Sequence, residues 1–366
     1  MTAIILSFLI STLTCFFIIR YSHLHKHLTS DPVKGGPQKF HTRPTPRISG
    51  VAIVAGMLAS AGIFMWQERP FVTETLLLLG CSLPAFLSGL AEDITKKVGA
   101  LWRLFFTIVA ACLAFFLLDA KLTRVSLPFV DNWLLFMPFS LLLTIVAVAG
   151  VSNAVNIIDG FNGLATGVSL LIFGSLSYVS FKVNDFFLLF LCLSMIGAII
   201  GFFIWNYPNG MIFLGDGGAY FIGFVIAVVS VLLVNRHPEV SPWFPMLLVA
   251  YPVWETMFSI YRKKFIRGQS PGMPDGLHFH MIVYKRLLQW TVGKKEAKYF
   301  TRRNAMTSPY LWMLSLFSII PAVLFWQNTS ILMVFVVLFI LMYLWIYWRI
   351  VKFKTPKWLV RKGRDS

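Results

Sequence analysis

Charge is scarce in this sequence. Of 366 residues only 13% are Asp, Glu, Lys or Arg, roughly half the share of an ordinary soluble domain. That shortage, beside 57% hydrophobic residues, excludes a soluble globular enzyme. Cysteine is scarcer still. Cys15, Cys81, Cys112 and Cys192 all lie in apolar stretches, with no CxxC and no Cys/His cluster. They read as small buried hydrophobes and imply neither a disulfide framework nor a zinc site. No fixed-period repeat or low-complexity tract occurs, and 35 Phe and 12 Trp exclude a disordered or collagen-like chain.

What the chain has is long apolar runs. A hydrocarbon core about 30 Å thick needs ~20 apolar residues per helix. Eleven runs of that size appear, at 3–20, 48–66, 73–91, 103–119, 133–151, 163–181, 186–205, 212–234, 242–260, 309–326 and 330–348. The expected fold is therefore all-α, a polytopic membrane protein of about 11 transmembrane helices forming a single integral membrane domain over 1–366. The first run has no basic segment before it and no small-residue cleavage site after it, so it reads as a retained helix.

The net charge of +17 would suggest nucleic acid as partner of a soluble chain. Here the cations sort by loop. If the residues after the first helix are cytoplasmic, 27 of the 32 Lys and Arg fall inside and only Arg69, Lys121, Arg124, Lys182 and Arg236 outside. That asymmetry places the N-terminus outside and the C-terminus in the cytoplasm, and removes any need for a nucleic-acid partner. The cytoplasmic segments are then about 22–47, 92–102, 152–162, 206–218 and 261–308.

Acidic residues number 15 and can be considered singly. Glu92, Asp93, Asp159, Asp216 and Asp275 fall at or beside predicted cytoplasmic helix ends. Each alone is open to a bland reading as a helix cap, a solvated turn or a topology marker. A carboxylate at membrane depth nevertheless costs ~2.5–3.5 kcal/mol and calls for a cation, a metal or water. The adjacent pair Glu92-Asp93, with Lys96 and Lys97 following, suits a divalent ion shared with substrate phosphates.

The most informative stretch is Asn153-Ala-Val-Asn156-Ile-Ile-Asp159-Gly-Phe-Asn162-Gly163-Leu164. Asn153, Asn156 and Asp159 are spaced by three, so on a helix they share a face and present amide and carboxylate oxygens together, either as a core hydrogen-bond network or as a ligand site. Phe213-Leu-Gly-Asp216-Gly-Gly then puts an acid among glycines immediately before an apolar run, where a helix N-terminus can face an anion or its metal. Between Ser270 and His280 an acid, Asp275, precedes His278 and His280, which alternate by two. Two such histidines are thin evidence for zinc and better suited to an anionic substrate beside Arg262, Lys263, Lys264 and Arg267.

These motifs in this order, Pro44-Thr-Pro-Arg-Ile-Ser-Gly50, Glu92-Asp93, Asn153 to Leu164, Phe213 to Gly217 and Pro274 to His280, resemble the polyprenyl-phosphate N-acetylhexosamine-1-phosphate transferases. That family initiates peptidoglycan lipid intermediates, teichoic acids and the O-antigen of lipopolysaccharide. The resemblance runs from about 39 to 286. It implies a multi-pass enzyme of the bacterial inner membrane, with its active site on the cytoplasmic face, that transfers sugar 1-phosphate from a UDP-N-acetylhexosamine to a polyprenyl phosphate and releases UMP. It further implies Mg2+, with Mn2+ as a substitute, held by Asp216 and Asn156. Glu92, Asp93, Asp159, Asp216, His278 and His280 fall on catalytic positions. Arg43, Asn153, Asn156, Asn162, Phe213 and Asp275 fall on substrate-binding ones. Membrane lipid and a second copy of the chain are the other implied partners. The sequence departs from the pattern at Glu92, where the family has Asp, at Met281, where it has a third His, and at Ser49-Gly50, where it has twin glycine.

Elementary electrostatics asks for the same parts. A lipid phosphate and a nucleotide diphosphate repel, so a metal and fixed cations must offset their charge. A secondary transporter is the alternative class, but it would favour internal repeats and mid-membrane acids, whereas these acids gather at one face.

Overall fold

The computed structural model describes residues 2–31, 44–268, 277–287 and 297–352. In chain order its helices are α1 Thr2–Arg20, α2 Ser22–Thr29, α3 Gly50–Trp66, α4 Val72–Thr95, α5 Ala100–Leu117, α6 Pro128–Leu134, α7 Met137–Ile158, α8 Leu164–Lys182, α9 Phe186–Asn206, α10 Gly215–Arg236, α11 Trp243–Leu248, α12 Ala250–Tyr261, α13 Phe279–Ile282, α14 Ala297–Leu324 and α15 Thr329–Val351. Single π-helical turns follow α12, Arg262–Ile266, and α13, Val283–Leu287. The short strands Ser30–Asp31 and Thr45–Pro46 pair antiparallel.

Nine helices among the described residues are long and apolar enough to cross a membrane. The other two expected spans differ. α3 has 17 residues, and the run 242–260 is broken into α11 and α12. Pro252 explains the break: it has no N–H for the carbonyl of Leu248, the last residue of α11, and its ring crowds that carbonyl. α14 begins about a dozen residues before the apolar run at 309–326, because its first turns, carrying Arg302 and Arg303, lie beyond the apolar stretch.

α10 is the axis of the bundle. From Ala219 to Val234 it carries no charge, and every residue from Gly215 to Val234 is buried. A helix apolar all round has to be enclosed by others, and α3, α4, α5, α7 and α8 pack around it. α1 lies between α3 and α9 in backbone-close contact: Ser7 Oγ donates to the Ser194 carbonyl at 2.9 Å, Ser11 Oγ to Ala198 at 2.7 Å, and Ser60 Oγ to Ala3 at 3.1 Å. Small residues and hydroxyls at such contacts are how helices associate where lipid removes the hydrophobic drive.

The helices alternate in direction. Gln67, just after α3, meets Thr2 at the start of α1 at 3.1 Å, and Ser241 meets Thr329 at 2.7 Å, both at the end of the bundle opposite Asp216. At the Asp216 end meet the close of α4, the start of α5, the close of α7 and the start of α10.

Candidate active site

Asp216 occupies the first turn of α10 and is 6% exposed. Two helices and a loop supply the partners of its carboxylate. Arg47, just after the second strand, brings Nη2 to 2.7 Å from Oδ1. Asn156 on the last turns of α7 donates from Nδ2 to the same oxygen at 3.0 Å. Arg103 on the first turn of α5 pairs with Oδ2. The Arg103 guanidinium also lies 5.9 Å from the centroid of Tyr220, whose hydroxyl donates to Asn153 Oδ1 at 3.2 Å. The predicted Asn153/Asn156 face of α7 is thus turned to α10.

Asp93 is buried on the last turn of α4, with both carboxylate oxygens on α10. The Asp216 N–H donates to Oδ1 and the Gly217 N–H to Oδ2, each at 2.9 Å. Two of the donors that a helix start leaves unpaired are satisfied this way. Arg47 Nε adds a contact at 3.4 Å. This placement fixes the register of the turn that carries Asp216. Gly215 makes it reachable: its φ is +77°, and a Cβ there would stand 2.3 Å from the Arg47 carbonyl and 2.5 Å from Asp93 Oδ2. Glu92 points elsewhere, accepting from the Val98 N–H at 2.7 Å.

Asp159 follows α7 and faces Arg47 and Asp93. Enclosure raises its carboxyl to about 7, against the pull of Arg47. Arg47 therefore serves three acids from three separate segments.

Asn162 is engaged in the loop itself. Its N–H donates to Asn304 Oδ1 at 2.8 Å, its Nδ2 to the Pro208 carbonyl at 3.0 Å, and its carbonyl accepts from Ser308 Oγ at 2.6 Å. Phe213 is half-buried. Its N–H donates to the Pro46 carbonyl at 2.8 Å and its own carbonyl accepts from Ser49 at 2.6 Å, which ties the Arg47 segment to the start of α10.

His278 and His280 are buried with their rings stacked at 5.3 Å and 6°. His280 rests against Gly160, where a Cβ would come within 3.0 Å of Nε2, and edges Phe161 at 5.5 Å. The histidine segment thus abuts the loop that carries Asp159. Arg262, expected beside an anionic substrate, is instead buried between Phe258 and Tyr347, donating to the Tyr347 hydroxyl at 3.0 Å. Arg43 and Asp275 lie outside the described residues.

The sequence reading singled out neither Arg103 nor Glu255, and it quoted Arg47 only within a motif. For Glu255 the signal was there: it is a charge inside a predicted apolar run, which at membrane depth marks function by default, whereas Arg103, at the edge of its run, counts among the cytoplasmic cations.

A model described as "Glycosyl transferase family 4" matches residues 75–234, which include Asp93, Arg103, Asn156, Asp159 and Asp216. Phospho-N-acetylmuramoyl-pentapeptide-transferase of Lactobacillus acidophilus is 30% identical over 306 residues, covering 77% of this chain and 91% of the relative. The chain belongs to this family of membrane phospho-sugar transferases. Undecaprenyl-phosphate alpha-N-acetylglucosaminyl 1-phosphate transferase of Escherichia coli K12 is 28% identical over 261 residues, 68% of this chain and 67% of the relative. The "Probable undecaprenyl-phosphate N-acetylglucosaminyl 1-phosphate transferase" of Bacillus subtilis is 27% identical, covering 76% and 77%. The transferase is thus a multi-pass membrane enzyme of cell-envelope synthesis, which sets aside the transporter reading.

Proposed function

We propose that the transferase moves an N-acetylhexosamine 1-phosphate from a UDP-sugar to undecaprenyl phosphate on the cytoplasmic face of a bacterial inner membrane, as the first membrane step of an envelope glycan. The observation that carries this reading is the convergence of Arg47, Arg103 and Asn156 on Asp216, while Asp93 holds the same helix start. Fixed cations and an acid at the membrane face suit a reaction between two phosphates, one of them on a lipid. An oxygen of the lipid phosphate attacks the sugar-bearing phosphorus of the UDP-sugar in line. The bond from that phosphorus to the uridine-bearing phosphate breaks, and UMP leaves. Such transfers need mainly positioning and charge neutralisation. Arg47 and Arg103 offset the gathering negative charge, and the buried His278 and His280 close the site from the side of the Asp159 loop.

The donor set fits Mg2+. Asp216 Oδ1 and the Asn156 amide lie 3.0 Å apart, and turning the amide over offers two hard oxygens side by side. Among the described residues no group of three or more His, Cys, Asp and Glu is placed to hold a metal ion, so substrate phosphates and water would have to complete the ligand set. Mg2+ would supply charge neutralisation on the diphosphate.

Purified transferase with undecaprenyl phosphate should convert one or more of a panel of labelled UDP-N-acetylhexosamines to labelled lipid and an equal amount of UMP. Turnover should stop with EDTA and return with Mg2+. Failure of every sugar in the panel, with the protein folded, would reject the proposal.

Orientation has its own check. The alternating helices put Thr2 at the end of the bundle opposite Asp216 and Lys352 at the Asp216 end. Thr2→Cys should react with an impermeant maleimide in intact cells, and Lys352→Cys only after permeabilisation. Cys15, Cys81 and Cys192 are buried and give little background. The reverse labelling pattern would move the site to a compartment without UDP-sugars.

A further inference from the structure

Glu255, on α12, is fully buried and lies in a run that is otherwise uncharged. An ionised carboxylate there needs donors on both oxygens. It has them. Oε1 accepts from His278 Nδ1 at 3.0 Å and from the Phe279 N–H at 3.1 Å, while Oε2 accepts from the Tyr343 hydroxyl of α15 at 2.6 Å. A carboxylate can only accept, so the His278 proton sits on Nδ1 and the atom left to act on a ligand is Nε2. His278 in turn stacks on His280, which rests on Gly160 and Phe161 beside Asp159. A chain of contacts therefore runs from α15 through α12 to the loop after α7.

We propose that Glu255, steadied by Tyr343, is the positioning residue of the histidine segment, fixing His278 so that Nε2 faces the sugar-nucleotide diphosphate. The inference rests on the reading above that this segment meets the diphosphate. Glu255 touches no reacting atom. It acts through His278, much as a buried acid orients the imidazole of a hydrolase.

Among the described residues, other ionisable groups stand around His278. His280 shares its turn, Tyr251 lies on α12 near Glu255, and Tyr347 joins Tyr343 on α15. The following π turn brings Tyr284, Lys285 and Arg286, and α14 brings Arg303, 5.2 Å from the Tyr284 ring centroid. Among the described residues Glu255 is the acid in direct contact with the His278 ring.

Glu255→Gln keeps the shape and removes the charged acceptor that orients Nδ1. It should lower kcat at least about tenfold and leave KM for the UDP-sugar within threefold. Tyr343→Phe removes the donor to Oε2. It should fold like wild type and lower kcat less than Glu255→Gln does. In a His278→Ala background, Glu255→Gln should add less than twofold, since the two act through one group. A merely structural role would reduce folded protein and let the two losses multiply, and that result would overturn the proposal. If His278→Ala alone retains wild-type turnover, the reading of the histidine segment fails as well. If His278→Ala is impaired while folded Glu255→Gln keeps wild-type kcat, only the role of Glu255 falls.

Discussion

Asp216→Ala should reduce transfer at least about 10²–10³-fold while leaving the protein inserted and folded. The change removes the one carboxylate that Arg47, Arg103 and Asn156 share. Two guanidiniums then face each other across an empty position, and the oxygen proposed to hold Mg2+ is gone. Loss of one preorganised electrostatic group in a water-poor site typically costs ~2.7–4 kcal/mol of barrier. Asp216→Asn is the useful companion, since it keeps the shape and should lose nearly as much. Labelled-lipid formation measures the effect, and a thermal-shift trace shows whether the variant is folded. Activity within threefold of wild type in a folded Asp216→Ala protein would remove Asp216 from the chemistry.

Gly89→Ala, one turn before Asp93, is expected to be nearly as severe for a different reason. A Cβ at Gly89 would stand 2.5 Å from the Gly217 nitrogen, 2.6 Å from the Asp216 carbonyl carbon and 2.7 Å from the Gly217 Cα. All three are backbone atoms of the α10 start and none can rotate aside. On the neighbouring helix a Cβ at Gly50 would meet the Gly218 nitrogen at 2.4 Å, so the first turn of α10 is wedged between α3 and α4. Adding even one methyl forces α4 and α10 apart, a strain of typically ~1–3 kcal/mol. It also pulls Asp93 away from the two N–H groups it holds. Transfer should fall at least tenfold, with a lowered melting temperature. Gly80→Ala, on the same helix, meets nothing within 4 Å and should be neutral. Equal behaviour of the two variants would show that the close approach does not matter.

The sequence by itself determined the class of protein, the approximate helices and the family. Hydrophobic run length and cation distribution are local properties, so α8, α9, α10 and α15 begin and end within a few residues of their apolar runs, while α7 runs seven residues past its own, through Asn153 and Asn156. Asn153, Asn156, Asp159 and Asp216 were legible because polar residues at a helix end stand out against an apolar background. The pairing partners were settled only by the tertiary structure. Arg103 reaches Asp216 across 113 positions, Arg47 across 169, and Tyr343 reaches Glu255 across 88. No local pattern encodes such pairings, because they depend on which helix ends meet once α10 is enclosed. The use of the Asp93 carboxylate was equally hidden. Its neighbour Glu92 carries the same charge in the same motif, yet α4 turns one toward the α10 backbone and the other toward Val98. Consecutive residues on a helix point about 100° apart, and which of the two faces the core is decided by the neighbours that α4 packs against.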